Sequence, residues 1–180
     1  HRDLHRLIRR QRQMCIRDSY TFYDGEIPIK VLPDKPPMAK VVHIDVTQPY
    51  CPEIRKIILD VCADLNIKCH ERGTYAATEG PRFETPAEIN AIKIMGGDLV
   101  GMTNVPEVVL ARELGICYAT IAIVTNWAAG IQGKVSHEEV IEIFTKRIGD
   151  VRNIFLETIK RLPKERSCNC KDLIREAIID

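Results

Sequence analysis

Residues 98–125 read DLVGMTNVPEVVLARELGICYATIAIVT, and their order decides the fold. Asp98 to Gly101 is a short apolar run with the length of a strand. A turn through Met102, Thr103 and Asn104 leads to Pro106, which is suited to the first turn of a helix. That helix runs through Leu114 and stops at Gly115, a residue that ends helices easily. Cys117 to Thr125 is then almost continuously apolar, the pattern of a central strand covered on both faces.

The same alternation extends outward in both directions. Upstream, Gly73 to Thr78 reads as a short strand. Pro52 to Asn66 reads as a helix, because Ile54, Ile57, Ile58, Val61 and Leu65 recur at helical spacing. Val41 to Val46 is a further candidate strand, and residues 20–40, with Pro28, Pro33, Pro36 and Pro37, read as a loop with short extended pieces. Thr85, Pro86 and Glu88 carry the signature of a capping box with proline at the first helical position. Ile89, Ile92 and Met95 form the apolar face of that helix, and Gly96-Gly97 ends it. Downstream, Ser136 and Glu139 form a second capping-box pattern ahead of a long helix to about Arg161. Residues 163–169 break the pattern, and Lys171 to Ile179 reads as a closing helix. Strands alternating with helices predict an α/β layered domain.

The totals narrow the function. A chain of 180 residues with 45% hydrophobic and 28% charged residues is sized for one globular domain with its own core. It has no apolar run long enough to span a bilayer and no secretory signal, and seven cysteines without a framework spacing suit a reducing compartment. The expected location is the cytoplasm, with no membrane partner. The net charge of +1 hides an asymmetry. Residues 1–19 carry six arginines against Asp3 and Asp18; the rest holds 20 Lys and Arg against 23 Asp and Glu, a net of −3. A nucleic-acid reading would rest on that first segment alone, and no nucleic-acid partner is expected.

Residues 14–19, Met-Cys-Ile-Arg-Asp-Ser, match a translation of ATG-TGT-ATA-AGA-GAC-AG, the mosaic end used in transposase-based library preparation. Residues 1–19 are therefore expected to be adapter-derived, with residues 20–180 forming the C-terminal part of a single domain. The competing reading is a natural Arg-rich helix.

Open α/β sheets bind ligands where strands end, so the turns after the strands carry the chemistry. Three are distinctive: residues 78–85 (TEGPRFET), 101–107 (GMTNVPE) and 125–130 (TNWAAG). From about Phe22 to about residue 161 the chain resembles the nucleoside phosphorylase family, which includes trimeric purine nucleoside phosphorylases and methylthioadenosine phosphorylase. The resemblance rests on Glu-Gly-Pro-x-Phe at 79–83 followed by Gly-Met-Thr-x-Val-Pro-Glu-Val at 101–108. It implies a three-layer α/β/α fold with a central mixed twisted sheet. It also implies a homotrimer in purine salvage, acting on a purine nucleoside and inorganic phosphate as co-substrate, with no cofactor and no metal.

Phosphorolysis makes the sugar cationic and the purine anionic in the transition state. It needs an anion site, a ribose contact surface and hydrogen bonds that strengthen as charge reaches the base. The resemblance assigns these parts. Asn126 is expected to contact O6 and N7, since an amide both donates and accepts. Glu84 is expected to accept from N1–H, a group that 6-oxopurines have and adenine lacks. Relatives that act on methylthioadenosine carry a second Asp where this chain has Ala128, which argues against adenine. Phe83 and Met102 would lie against base and ribose, Thr103 would donate to phosphate near a helix start, and His137 would approach the ribose 5′-hydroxyl. Each has a plainer reading: Asn126 as a strand end, Glu84 as a favourable charge at a helix N-terminus, Phe83 as core, Thr103 as a cap, His137 as a solvated first-turn residue. Glu79 and Arg82 read as loop-shaping, Trp127 as packing, and Cys168-Asn169-Cys170 as a redox pair or unrelated thiols, because one pair is two ligands short of a zinc site.

The expected activity is conversion of inosine- or guanosine-type nucleosides to free base and ribose 1-phosphate. Alternatives are S-methyl-5′-thioinosine or S-methyl-5′-thioadenosine phosphorylase, and a noncatalytic purine-binding fragment. The family's N-terminal Gly-rich phosphate loop and Arg-His pair have no match before Phe22, so the chain as written is expected to be inactive and poorly folded.

Overall fold

Two helices make the main apolar contact of the domain. Helix α1 (Pro52–Asp64) places Val61 and Cys62 against Ile154 of helix α4 (His137–Arg161). Ile57, Ile58, Ile67 and Ile121 close around them. Val61 is fully buried and Ile154 nearly so, and burial of side chains of this size contributes about 1.5–3 kcal/mol each. Arg161 Nη1 meets Asp64 Oδ2 at 2.6 Å where the two helices end together.

The computed structural model describes residues 43–133 and 136–177. All lie in one unit, Val42–Ile178. The expectations for residues 1–42, including an adapter origin for the first nineteen and the Pro-rich loop, lie outside the described residues.

Between α1 and α4 come strand β1 (Tyr75–Ala77), helix α2 (Pro86–Ile94), strand β2 (Leu99–Gly101) and helix α3 (Asn104–Glu113); helix α5 (Leu173–Ala177) follows α4. β1 and β2 pair in parallel, with Tyr75 opposite Leu99 and Ala77 opposite Gly101. A parallel pair needs a crossover, and α2 supplies it. Its start is fixed as the sequence predicts: Thr85 Oγ1 accepts from the Glu88 amide at 3.3 Å and the Glu88 carboxylate accepts from the Thr85 amide at 2.7 Å. The domain is α/β, as expected.

Several expectations change in detail. Cys117 to Thr125 forms no strand; among the described residues β1 and β2 pair only with each other. Nor is it covered on both faces. Ile121 packs on the α1–α4 core, whereas Ala122 and Val124 on the opposite side are exposed. Residues 43–46 also lack strand structure. α3 begins at Asn104, two residues before Pro106, which sits in the first turn where its missing N–H costs nothing. The second capping box is half made: Ser136 Oγ accepts from the Glu139 amide at 3.4 Å but gives its own hydrogen to Glu138 Oε2 at 2.6 Å.

Candidate functional site

Parallel pairing sends β1 and β2 out of the sheet in the same direction, so the turns 78–85 and 101–107 leave side by side. The Thr78 amide donates to the Gly101 carbonyl at 2.8 Å and ties them at the root. Two glycines make the close approach possible. A Cβ on Gly101 would collide with the Tyr75 hydroxyl, and one on Gly80 would lie 2.6 Å from Met102 Sδ. The third turn abuts α2: Gly130 has φ of 81°, and a Cβ there would meet Pro86 at 2.5 Å.

These turns surround an open cleft of about 670 Å³. Of the seven sequence-derived site residues, Phe83, Glu84, Met102, Thr103, Asn126 and Ala128 all line it. His137 does not; it is exposed at the first position of α4, and Val140 one turn on reaches the cleft instead. Trp127, expected to pack, is 64% exposed on the cleft wall, because residues 126–127 lie in the turn beyond the apolar run.

Hydrogen bonds fix the polar side chains. Thr78 Oγ1 donates to Glu84 Oε1, leaving Oε2 of that carboxylate to accept from elsewhere. Asn126 Oδ1 accepts from Thr125 Oγ1 at 2.7 Å, and its Nδ2 donates to the Trp127 carbonyl at 2.9 Å. An amide retains one further N–H and one lone pair after these bonds. Thr103 occupies the N-cap position of α3 without bonding back to the helix through its side chain. Its hydroxyl and the first amides of a ten-residue helix are both suited to an anion.

Arg82 shapes the loop, as its position suggested. Both guanidinium ends meet Glu88, at 2.7 and 2.8 Å, and one also donates to the Phe83 carbonyl at 3.0 Å. The Arg82 hydrogen bond, followed by those from Thr85, holds the Glu88 carboxyl down to about 2. Phe83 and Glu84 are thereby held between a clamp and the Thr78 bond.

The sequence reading missed a second polar group in the wall. Tyr118 Oη donates to Glu107 Oε2 at 2.6 Å, and burial first, then this carboxylate, pushes the phenol up to about 12. Asn104, 4% exposed, donates from Nδ2 to Thr120 Oγ1 at 2.8 Å, and its Oδ1 has no partner. Tyr118 and Thr120 are two apart in an extended segment, a signal that period-two spacing could have given. Among the described residues the cleft is lined by no Lys, Arg or His.

Residues 8–160 match the model of the phosphorylase superfamily. The chain belongs to that superfamily. It is 53% identical over 159 residues to 6-oxopurine nucleoside phosphorylase of Pyrococcus furiosus, covering 87% of this chain and 57% of that protein. It is 49% identical over 139 residues to a probable S-methyl-5′-thioinosine phosphorylase of Methanopyrus kandleri, covering 77% and 54%. Among solved structures, a double mutant of adenosine/methylthioadenosine phosphorylase from Schistosoma mansoni in complex with adenine superposes with a TM-score of 0.73 at 31% identity, covering 78% of this chain and 58% of that one. The chain thus spans just over half the length of the phosphorylases it matches. No helix among the described residues is long and apolar enough to cross a membrane.

Proposed function

We propose that the protein of which this chain is a part is a purine nucleoside phosphorylase that cleaves inosine- and guanosine-type nucleosides, using inorganic phosphate as co-substrate and no cofactor. One observation carries the reading: Glu84 and Asn126, from turns more than forty residues apart, line the same cleft. In this account a phosphate oxygen bonds to C1′ as the C1′–N9 bond breaks. The electron pair of that bond passes into the purine, which takes a proton at N7 from solvent. The free Glu84 oxygen accepts from N1–H, the unused Asn126 N–H donates to O6 as charge grows there, and the remaining Asn126 Oδ1 lone pair accepts from the proton gained at N7. Phe83 and Met102 supply the apolar wall for base and ribose. Ala128 leaves no second carboxylate for a 6-amino group. Thr103 and the start of α3 donate to phosphate; the cationic counter-charge comes from groups other than the described lining.

The reading extends to a cytoplasmic homotrimer in purine salvage. The identity to the Pyrococcus furiosus enzyme and the site chemistry support the activity; the homotrimer, compartment and salvage role rest on the family resemblance alone. A second substrate, S-methyl-5′-thioinosine, is favoured by one observation: Val140 rather than His137 meets the cleft, and an apolar side chain suits a thioether better than a hydroxyl. The test is phosphate-dependent base release by the intact enzyme from inosine, guanosine, adenosine and their 5′-methylthio forms. Cleavage of the 6-oxo substrates alone supports the base assignment; preference for adenosine forms sinks it. The ratio of inosine to methylthioinosine turnover decides the sugar end.

A further inference from the structure

Four cysteines from three separate segments of the chain meet at one point. Cys51 precedes α1, Cys117 opens the apolar run, and Cys168 and Cys170 flank Asn169 in the break before α5. Their four sulfurs all lie within 4.8 Å of one another, and the Cys117–Cys168 pair is 3.3 Å apart. Cys51 and Cys170 are 1% exposed. We infer that Cys51, Cys117, Cys168 and Cys170 form a tetrathiolate site for one structural zinc ion.

The geometry matches the ion. Zinc–sulfur bonds of about 2.3 Å in a tetrahedron set the sulfurs about 3.8 Å apart, so shifts of under about 1 Å bring these four to their places. Zinc is bound as in other closed four-cysteine sites, with no position left open for chemistry. The pair at 168–170 is one residue closer than the usual spacing of zinc cysteines; the other two ligands come from distant segments rather than from a second short pair.

Charge favours bound thiolates over other states of the same cysteines. Arg112, 4% exposed, points one guanidinium nitrogen at Cys170 Sγ (3.8 Å) and another at the Asp45 carbonyl (3.2 Å), and its Nε has no partner. None of the carboxylate ion pairs among the described residues includes it. A buried cation needs a counter-charge. Arg166 Nη1 lies 3.8 Å from Cys117 Sγ. A zinc ion with four thiolates carries a net charge of −2, which these two guanidinium groups balance. Two disulfides would be neutral and add no counter-charge to the Asp45 carboxylate that already acts on Arg112. Binding releases the four thiol protons to solvent and involves no oxidation. The site would pin the start of α1, the entry to Tyr118 and the segment before α5 to one another; the Cys51 amide already donates to the Tyr118 carbonyl at 2.7 Å.

The site rests on the thiols and arginines alone and stands independently of the substrate reading. The test is elemental analysis of the intact enzyme that contains this chain, produced with zinc and purified under reducing conditions without chelator. One zinc per chain is expected, and cobalt exchanged for it should show thiolate charge-transfer bands and intense tetrahedral ligand-field bands. The C168S/C170S variant should lose the metal, while C69S, which changes an exposed thiol outside the cluster, should keep it. If the double variant does not fold, the unaltered chain still decides. Folded protein without stoichiometric metal overturns the inference, as does an intact mass lower by four hydrogens, the signature of two disulfides.

Discussion

Tyr118 gives its phenolic hydrogen to Glu107 across 2.6 Å, joining the apolar segment 117–125 to helix α3 on the wall of the cleft. The bond holds the segment by a side chain, beside the backbone bond in which the Cys51 amide donates to the Tyr118 carbonyl at 2.7 Å.

This bond gives a titration. The phenol is pushed up to about 12 by burial and the adjoining carboxylate, above its ordinary value of 10.0. A raised acid of this kind contributes stability in full below pH 10 and loses it as pH rises through 12. Ultraviolet titration should show one tyrosine ionising about two pH units late. The step should vanish in Tyr118→Phe and move down in Glu107→Gln. Ionisation of all tyrosines together near pH 10 would contradict the assignment.

At the acid end, Glu88 is the reporter. Its carboxyl lies at about 2 in the fold against an ordinary 4.5, from Arg82 first and Thr85 next. A depressed carboxylate stabilises above its unfolded pKa and is lost as pH falls, here from about 4.5 toward about 2. Thermal melts of Glu88→Gln should therefore lie below those of the parent at neutral pH and converge with them toward pH 2. Separately, Thr85→Ala should cost about 1 kcal/mol through loss of the cap.

The α1–α4 contact predicts a larger effect. Ile154→Ala should destabilise the chain by about 2–5 kcal/mol, and Ile154→Val by about 0.5–1.5 kcal/mol. Urea denaturation followed by circular dichroism measures both. Near-zero change in the alanine variant would mean that this pair of helices is not the core.

Gly101→Ala tests the shape of the strand end. The new methyl meets the Tyr75 hydroxyl and ring, and an overpacked contact costs about 1–3 kcal/mol. The loss should be smaller in a Tyr75→Ala background, read as a double-mutant cycle. Additive losses would place Tyr75 away from Gly101.

Local signals in the sequence carried over where chemistry acts locally. Thr85, Pro86 and Glu88 announced α2 because a capping box involves only neighbours, and the spacing of Ile57, Ile58 and Val61 announced the buried face of α1. The run 117–125 misled because apolarity does not reveal whether partner strands are present. Trp127 was misread for a similar reason, since a bulky aromatic signals burial only where something covers it. Six of the cleft residues were legible through the three turn patterns. The Tyr118–Glu107 bond, the buried Asn104 and the four-cysteine cluster were not. Each joins segments 11 to 119 residues apart, a proximity only the folded chain creates.

The most direct test of the base-reading claim is the ratio of kcat/KM for inosine to that for adenosine, in phosphate, for the intact enzyme and its Glu84→Gln variant. The parent should favour inosine by roughly a hundredfold or more, as expected when a buried polar site loses its matching partner. The variant should lose most of that ratio chiefly through inosine. Equal turnover of both nucleosides by the parent, or an unchanged ratio in the variant, would contradict the account.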